Sequence, residues 1–346
     1  MRVSALTAYP PSAASARVRV AAMATHLVAS GIDLDYRPSQ SDVEYALIRS
    51  EAASARKLPP LARGLARATR DATLARDHLV LVHRVRSLLP VPIEGWARQD
   101  IFDFDDAIYL ASAPLGALPM SWLKRAAARS IRSMRRARVV VAGNPTLAAA
   151  ARQYSRSVEV VPSCVEPTEY QPRIHQPRER LVVGWVGSPS TSSYLLIALR
   201  ALAPLADKGE LKFIAMGAVP PLRGSWIEYR NWSPEAERRM LAELDVGVMP
   251  LPDDLWTQGK CGYKILMYAA AGLPSIVSPV GINERLVADG RGVVAHSTRD
   301  WRAAIRLLAD ASVRSEMGRR ARSFVEREYS YRVWAPRLAE LMRRLA

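Results

Sequence analysis

Cysteine is almost missing from this chain. Among 346 residues only Cys164 and Cys261 occur, far apart and in no CxxC or histidine-spaced pattern. That leaves no disulfide framework and no thiolate metal cluster, and both are expected as reduced thiols of a cytoplasmic protein. Without a histidine nearby in the sequence, Cys261 makes a poor nucleophile. Lysine is scarce as well, supplying six of the 49 basic residues. No apolar run approaches the roughly 18 residues that cross a bilayer. The opening MRVSALTAYPPSAASARVRV also lacks the apolar stretch of a secretory leader. Aromatic residues make up 7% and are not interleaved with basic ones as a base-stacking platform requires. A net charge of +16 therefore stands without a helix-turn-helix, zinc-finger or RNP-like pattern, and no nucleic-acid partner is expected.

What is present is a large apolar fraction, 49%, in a chain long enough for two domains. The positive charge is uneven, +10 over residues 1–165 and +6 over 166–346. Two Arg-rich helical segments, 52–78 and 122–138, carry much of the first share; they read as solvated faces, with at most peripheral contact with the inner membrane face.

Short β-branched runs alternate with helical patterns throughout. Val3 to Leu6 is a strand, followed by the small-residue loop Tyr9 to Ser15, a helix from Ala16 to Ser30 closed by Gly31, and a strand Ile32 to Tyr36. Strands Leu79 to Val82, Ile101 to Phe104, Val139 to Ala142 and Val158 to Val161 complete this half, with a helix-like turn at Glu94 to Arg98. Pro162, Pro167, Pro172 and Pro177 then mark 166–180 as a linker between domains 1–165 and 181–328. The second half repeats the alternation from Leu181 onward and ends in three helical segments, the last covering 329–346. Such alternation predicts an α/β protein with two parallel sheets, and ligands bind such sheets past the carboxyl ends of the strands.

The stretch WTQGKCGYKILMYAAAGLPSIVSPVG, Trp256 to Gly281, places Gly259, Lys260, Cys261 and Gly262 before a helical run. Free amides at a helix start favour an anion, and a compact ammonium suits phosphate as a point charge. Lys260 and Lys264 are two of the six lysines, so they are read as phosphate contacts more readily than as a solvated helix start. Gly187-Ser188-Pro189-Ser190-Thr191 follows the strand Leu181 to Val186 and fits either a second phosphate loop or an ordinary Ser/Thr cap. On the N-terminal side Asp103, Asp105 and Asp106 gather at a strand end, where one could orient or deprotonate a hydroxyl or Asp105 or Asp106 could equally cap the next turn; His83 ends another strand and fits a structural role as well as a functional one. Asn144, just after a third strand, is placed similarly.

GWVGSPSTSSYL, DVGVMPLPDDLWTQGKCGYKILMYAAAGLPSIVSPVG, IFDFDDAIY and VVAGNPTLAAAA together resemble the GT-B fold glycosyltransferases, specifically the retaining family 4 enzymes. The resemblance covers nearly the whole chain. It implies two Rossmann-like doubly wound domains facing across a cleft, with Tyr331 to Leu345 crossing back to the first. It implies a nucleotide-sugar donor, UDP- or GDP-linked, bound by the second domain, and a hydroxyl-bearing acceptor at the first. No cofactor or metal is implied, and the chain would act as a monomer or homodimer. Carried over, the donor contacts are Gly187, Ser188, Ser190, Thr191, Trp232, Gly259, Cys261, Gly262, Tyr263 and Met267. Lys260, Lys264, Asp106 and His83 are the catalytic candidates, and Ser12, Arg17, Asp105 and Asn144 the acceptor contacts. Four positions depart from the family: Gly259 and Met267 stand where it carries two glutamates, and Ser188 and Tyr194 stand where it carries an Arg/Lys pair. Lys260 and Lys264 are therefore expected to take over the charge on the diphosphate.

Overall fold

A strand covered on both faces needs no polar alternation, so the continuous Val/Ile/Leu runs become the central strands. The computed structural model describes residues 1–50, 52–75, 78–89, 91, 93–110 and 120–346, with the backbone alone at 94 and 120–126. Contacts divide the chain into unit 1, Met1–Cys164 with Tyr331–Ala346, and unit 2, Val165–Ser330.

Unit 1 contains β1 (Arg2–Thr7), β2 (Asp33–Pro38), β3 (Leu79–His83), β4 (Ile101–Phe104), β5 (Val139–Ala142) and β6 (Val158–Val160). All pair in parallel, in the order β2-β1-β3-β4-β5-β6. The register sets Thr7 beside His83 and His83 beside Asp103, so three strands deliver their carboxyl ends to one place. The helical run over residues 14–30 begins as α-helix, widens to a π-helical stretch at Arg17–Ala21, and closes on Gly31 at φ 71°. Only glycine enters that left-handed region without strain. The terminal helix Tyr331–Leu345 packs Ala335, Leu338, Ala339 and Met342 against Val20, Met23 and Leu27. The Tyr331 hydroxyl donates to the carbonyl of Val18 at 2.9 Å, and its ring stacks on His26.

Unit 2 repeats the plan with β7 (Leu181–Val186), β8 (Leu211–Met216), β9 (Ile227–Arg230), β10 (Val246–Met249), β11 (Ser275–Val277) and β12 (Gly292–Val294). Their order is β12-β11-β10-β7-β8-β9, again all parallel. The sheet is thus doubly wound, with apolar clusters on both faces.

Residues 166–180, expected as a linker, are held against unit 2. The Arg173 amide donates to Ala271 O, the Arg314 guanidinium to Gln176 O, and Arg173 and Arg178 pair with the buried carboxylate of Asp245. Proline-rich extended backbone leaves its carbonyls without internal partners, and arginines reaching from the unit supply them. Two helices, Asp42–Arg49 and Leu255–Gln258, lie where none was expected. The turn expected at Glu94 to Arg98 is a 3-10 turn, Ile93–Gly95.

Candidate functional site

In unit 2 the end of β7 is a tight steric assembly. A Cβ on Gly187 would overlap the indole of Trp185, which is 1% exposed. Gly217, at φ +73°, lies so close to the Gly187 carbonyl that a Cβ there would overlap it, and it packs beside Trp232. The amide of Gly187 donates to Met216 O at 3.0 Å, tying the turn to β8. On the same indole rests Lys264, whose ammonium is 5.3 Å from the ring centroid. Two segments distant in sequence thus bring a half-buried cation and a glycine turn to one indole. Trp232, beside Gly217, donates its indole N–H to Glu237 at 2.6 Å.

Lys264 lies in the helix Tyr263–Ala270, which opens on Gly262 at φ +67°. A side chain at Gly262 would strike Leu286 as well as strain the backbone. Lys260 stands before that helix, its amide bonded to Thr257 O and its ammonium 5.0 Å from the centroid of Trp256.

Residues 180–310 match the family described as glycosyl transferases group 1. This segment of the chain is similar in sequence to glycosyl transferases group 1 domains. The whole fold is that of GT-B glycosyltransferases. Sucrose-phosphate synthase from Thermosynechococcus elongatus aligns at TM-score 0.68 and 16% identity, over 100% of this chain and 99% of its own. HepE from Anabaena, solved with UDP and glucose, aligns at 0.71 and 12%, over 99% and 100%. WaaG, a glycosyltransferase involved in lipopolysaccharide biosynthesis, aligns at 0.68 and 13%, over 99% of each chain. No curated protein matches the chain in sequence.

Within unit 2 some expected contacts are engaged elsewhere. Ser188 and Ser190 share a hydroxyl bond at 2.9 Å, and Thr191 Oγ1 donates to Ser188 O, closing the 3-10 turn Pro189–Tyr194. That is the cap geometry, one of the two readings of this loop. Met267, expected at the donor ribose, is 1% exposed inside an apolar cluster with Leu266 and Tyr268. A thioether there presents no strong hydrogen-bonding group to a sugar, so the structure assigns Met267 to the core. Cys261 is buried, and Tyr263 bonds to Tyr170, whose hydroxyl is pushed up by burial. Gly259 closes the Leu255–Gln258 helix in ordinary right-handed backbone.

Unit 1 gathers charges at the ends of β3 and β4. Arg19 reaches from the first helix to both oxygens of Asp103, with Nε 3.2 Å from Oδ2. His83, fully buried, sets Nδ1 at 2.7 Å from Asp103 Oδ2 and Nε2 at 2.7 Å from Ser15 Oγ. Ser15 Oγ also lies 2.8 Å from each oxygen of Asp105. Arg84 pairs with Asp105 through Nε at 2.7 Å and with Asp106. Its backbone sits at φ 58°, costly for a residue with a Cβ and sustained by its bond to Asp103 O. Burial alone raises the pKa of Asp103 and Asp105. Arg19 and His83 overcome this at Asp103, and Arg84, His83 and Arg19 at Asp105, so both carboxyls titrate below the usual range.

These contacts correct three expectations on this side. His83 is sealed from solvent with one ring nitrogen engaged by Ser15 and the other by Asp103, so neither stands open to an acceptor hydroxyl. Asp106 is held by Arg84. Asn144 is a helix cap, its Oδ1 accepting from the Leu147 amide at 2.8 Å ahead of Pro145–Ala151. Ser12 is exposed, with its amide bonded to Asp42, and Arg17 is half-buried at the start of the π-helical stretch. The residue missed by sequence reasoning is Ser15. Its signal was topological: it opens the helix after β1, and β1, β3 and β4 are neighbours whose ends carry His83 and Asp103.

Proposed function

We propose that the protein transfers a sugar from a nucleoside-diphosphate sugar, UDP- or GDP-linked, to a hydroxyl-bearing acceptor with retention of anomeric configuration and without a metal. The observation that carries this is the meeting of Lys264 with the Gly187 turn over Trp185, inside the segment similar to glycosyl transferases group 1 domains. As the sugar–phosphate bond breaks, charge grows on the diphosphate oxygens, and a cation already fixed beside them stabilises it without reorganising. An acceptor hydroxyl attacking on the face the diphosphate leaves gives retention. HepE, which shares this fold, has been solved with UDP-glucose, which supports a nucleoside diphosphate as the donor's leaving group.

A panel of UDP, GDP, ADP, TDP and CDP in thermal melting tests the reading. The matching nucleotide at a hundred times its Kd should stabilise by about 2.7 kcal/mol through mass action. A flat response to all five would remove it. Met267 in the core and Gly259 in place of an acidic residue favour a second reading, a subunit that binds nucleotide without turnover. Release of free sugar from the donor by the pure protein separates the two.

A further inference from the structure

Unit 1 holds reactive groups that sugar transfer leaves unused. The Ser15 hydroxyl is 2.7 Å from His83 Nε2, and His83 Nδ1 is 2.7 Å from Asp103. A hydroxyl, an imidazole bonded to it and a carboxylate orienting the far ring nitrogen are the working parts of a serine nucleophile, which is known by geometry and not by chain order or fold. We propose that Ser15 is such a nucleophile, giving unit 1 an acyl-transfer activity toward oxygen esters that is independent of the sugar-transfer reading.

The surroundings favour this chemistry. Arg19 grips both oxygens of Asp103, so the carboxylate cannot swing from the ring it orients. His83 is sealed in the interior, whereas Ser15 is half-exposed in front of it and open to a substrate. Ser15 also sits in the first turn of the helical run over residues 14–30. The first bond within that run goes from the Arg17 amide to Ala13 O, so the amides of Ala14, Ser15 and Ala16 have no carbonyl behind them inside the helix. Such amides can take the charge of a tetrahedral oxyanion.

Asp105 competes for the same hydrogen, its oxygens 2.8 Å from Ser15 Oγ. The pairing with Arg84 keeps that carboxyl below the ordinary range and makes it a poor base, so the proton released on attack goes to His83. In the forward step Ser15 Oγ bonds to the ester carbonyl carbon and its proton moves to His83 Nε2. The carbon–alkoxy bond then breaks, and the departing alkoxide takes that proton as an alcohol. Water repeats the sequence on the acyl-serine, releasing a carboxylic acid and restoring the hydroxyl.

The experiment uses the full chain and two probes, diisopropyl fluorophosphate and p-nitrophenyl acetate. Mass spectrometry should find one phosphoryl adduct on the Ser15 peptide of the folded protein and none after unfolding in urea. With p-nitrophenyl acetate the protein should turn over nitrophenol, and Ser15→Ala should abolish this. His83→Gln should slow both reactions by about a hundredfold or more, the usual contribution of a positioned base. Asp105→Ala, which removes the competing acceptor, should keep the Ser15 adduct, and its loss in a folded Asp105→Ala protein would count against the proposal. Folded wild-type chain that takes no adduct on Ser15, or takes it equally fast when denatured, overturns the proposal whether or not the variants fold. An undiminished rate in a folded His83→Gln protein overturns it too.

Discussion

Lys264 and Lys260 look equivalent in the sequence, but only Lys264 lies on the indole that also supports the Gly187 turn. Lys260 rests instead on Trp256, at the edge of a different short helix. Lys264→Ala should therefore lower the rate of sugar transfer by about a hundredfold or more, comparable to removing one preorganised charge donor from a site. Lys260→Ala should cost less, and neither should shift the melting midpoint by more than a degree or two, because each head group is half-exposed. Steady-state rates with the matched donor, set beside melting curves, decide this. Equal rates for the wild type and Lys264→Ala would show that the lysine has no part in charge stabilisation.

At the scale of elements, the sequence made most strands legible because both sheets are buried on both faces, and buried parallel strands announce themselves as apolar runs. β4, β5 and β7 fall on the residues their composition indicated. Less legible were elements whose reason is local. The Asp42–Arg49 helix depends on a reciprocal Ser41–Glu44 capping box, and Leu255–Gln258 on the same device at Asp254 and Thr257. Lys260 lies in the loop before the helix, as expected, and Gly262 in left-handed backbone sets the helix start at Tyr263. The site was legible in unit 2, where glycines and lysines advertise it, and half-hidden in unit 1. There the Ser15–His83–Asp103 contacts depend on strand order, which no local pattern reveals. The terminal helix gives this scale its prediction. Tyr331, Leu338, Leu341 and Met342 are all buried in unit 1, and each large apolar side chain contributes about 1.5–3 kcal/mol. Losing four of them rivals the entire stability of a domain, about 5–15 kcal/mol. A chain ending at Ser330 should lose the unit 1 fold while unit 2, with its own apolar clusters, still melts cooperatively. Amide hydrogen exchange resolved by peptide will show protection surviving only within 165–330, or will refute the expectation by finding β1 and β3 still protected.

For the whole molecule, acid should act in two stages, with the sign set by which state binds protons more readily. Burial lowers the titration point of His175 below 6.5, outweighing the opposing effect of its bond to Gly272 O. Below 6.5 the unfolded chain takes up a proton there that the folded chain refuses, so stability falls gently as pH drops from that point. Carboxyls dominate further down. Glu44 carries a desolvation cost but is bonded by the Ser41 amide, Arg63 and Arg67, and titrates at about 2 against 4.5 when free. Asp103 and Asp105 are displaced in the same direction. A carboxyl lowered on folding adds stability above its unfolded value and loses it as pH falls toward its folded one. The midpoint of melting should hold near neutrality, decline slightly below 6.5 and drop steeply between about 4.5 and 2. His175→Gln should erase the gentle limb and leave the steep one, because the two belong to different residues in different units. A single transition with no inflection near 6.5 in the wild type would show that His175 titrates alike in both states, whatever the carboxyls do below it.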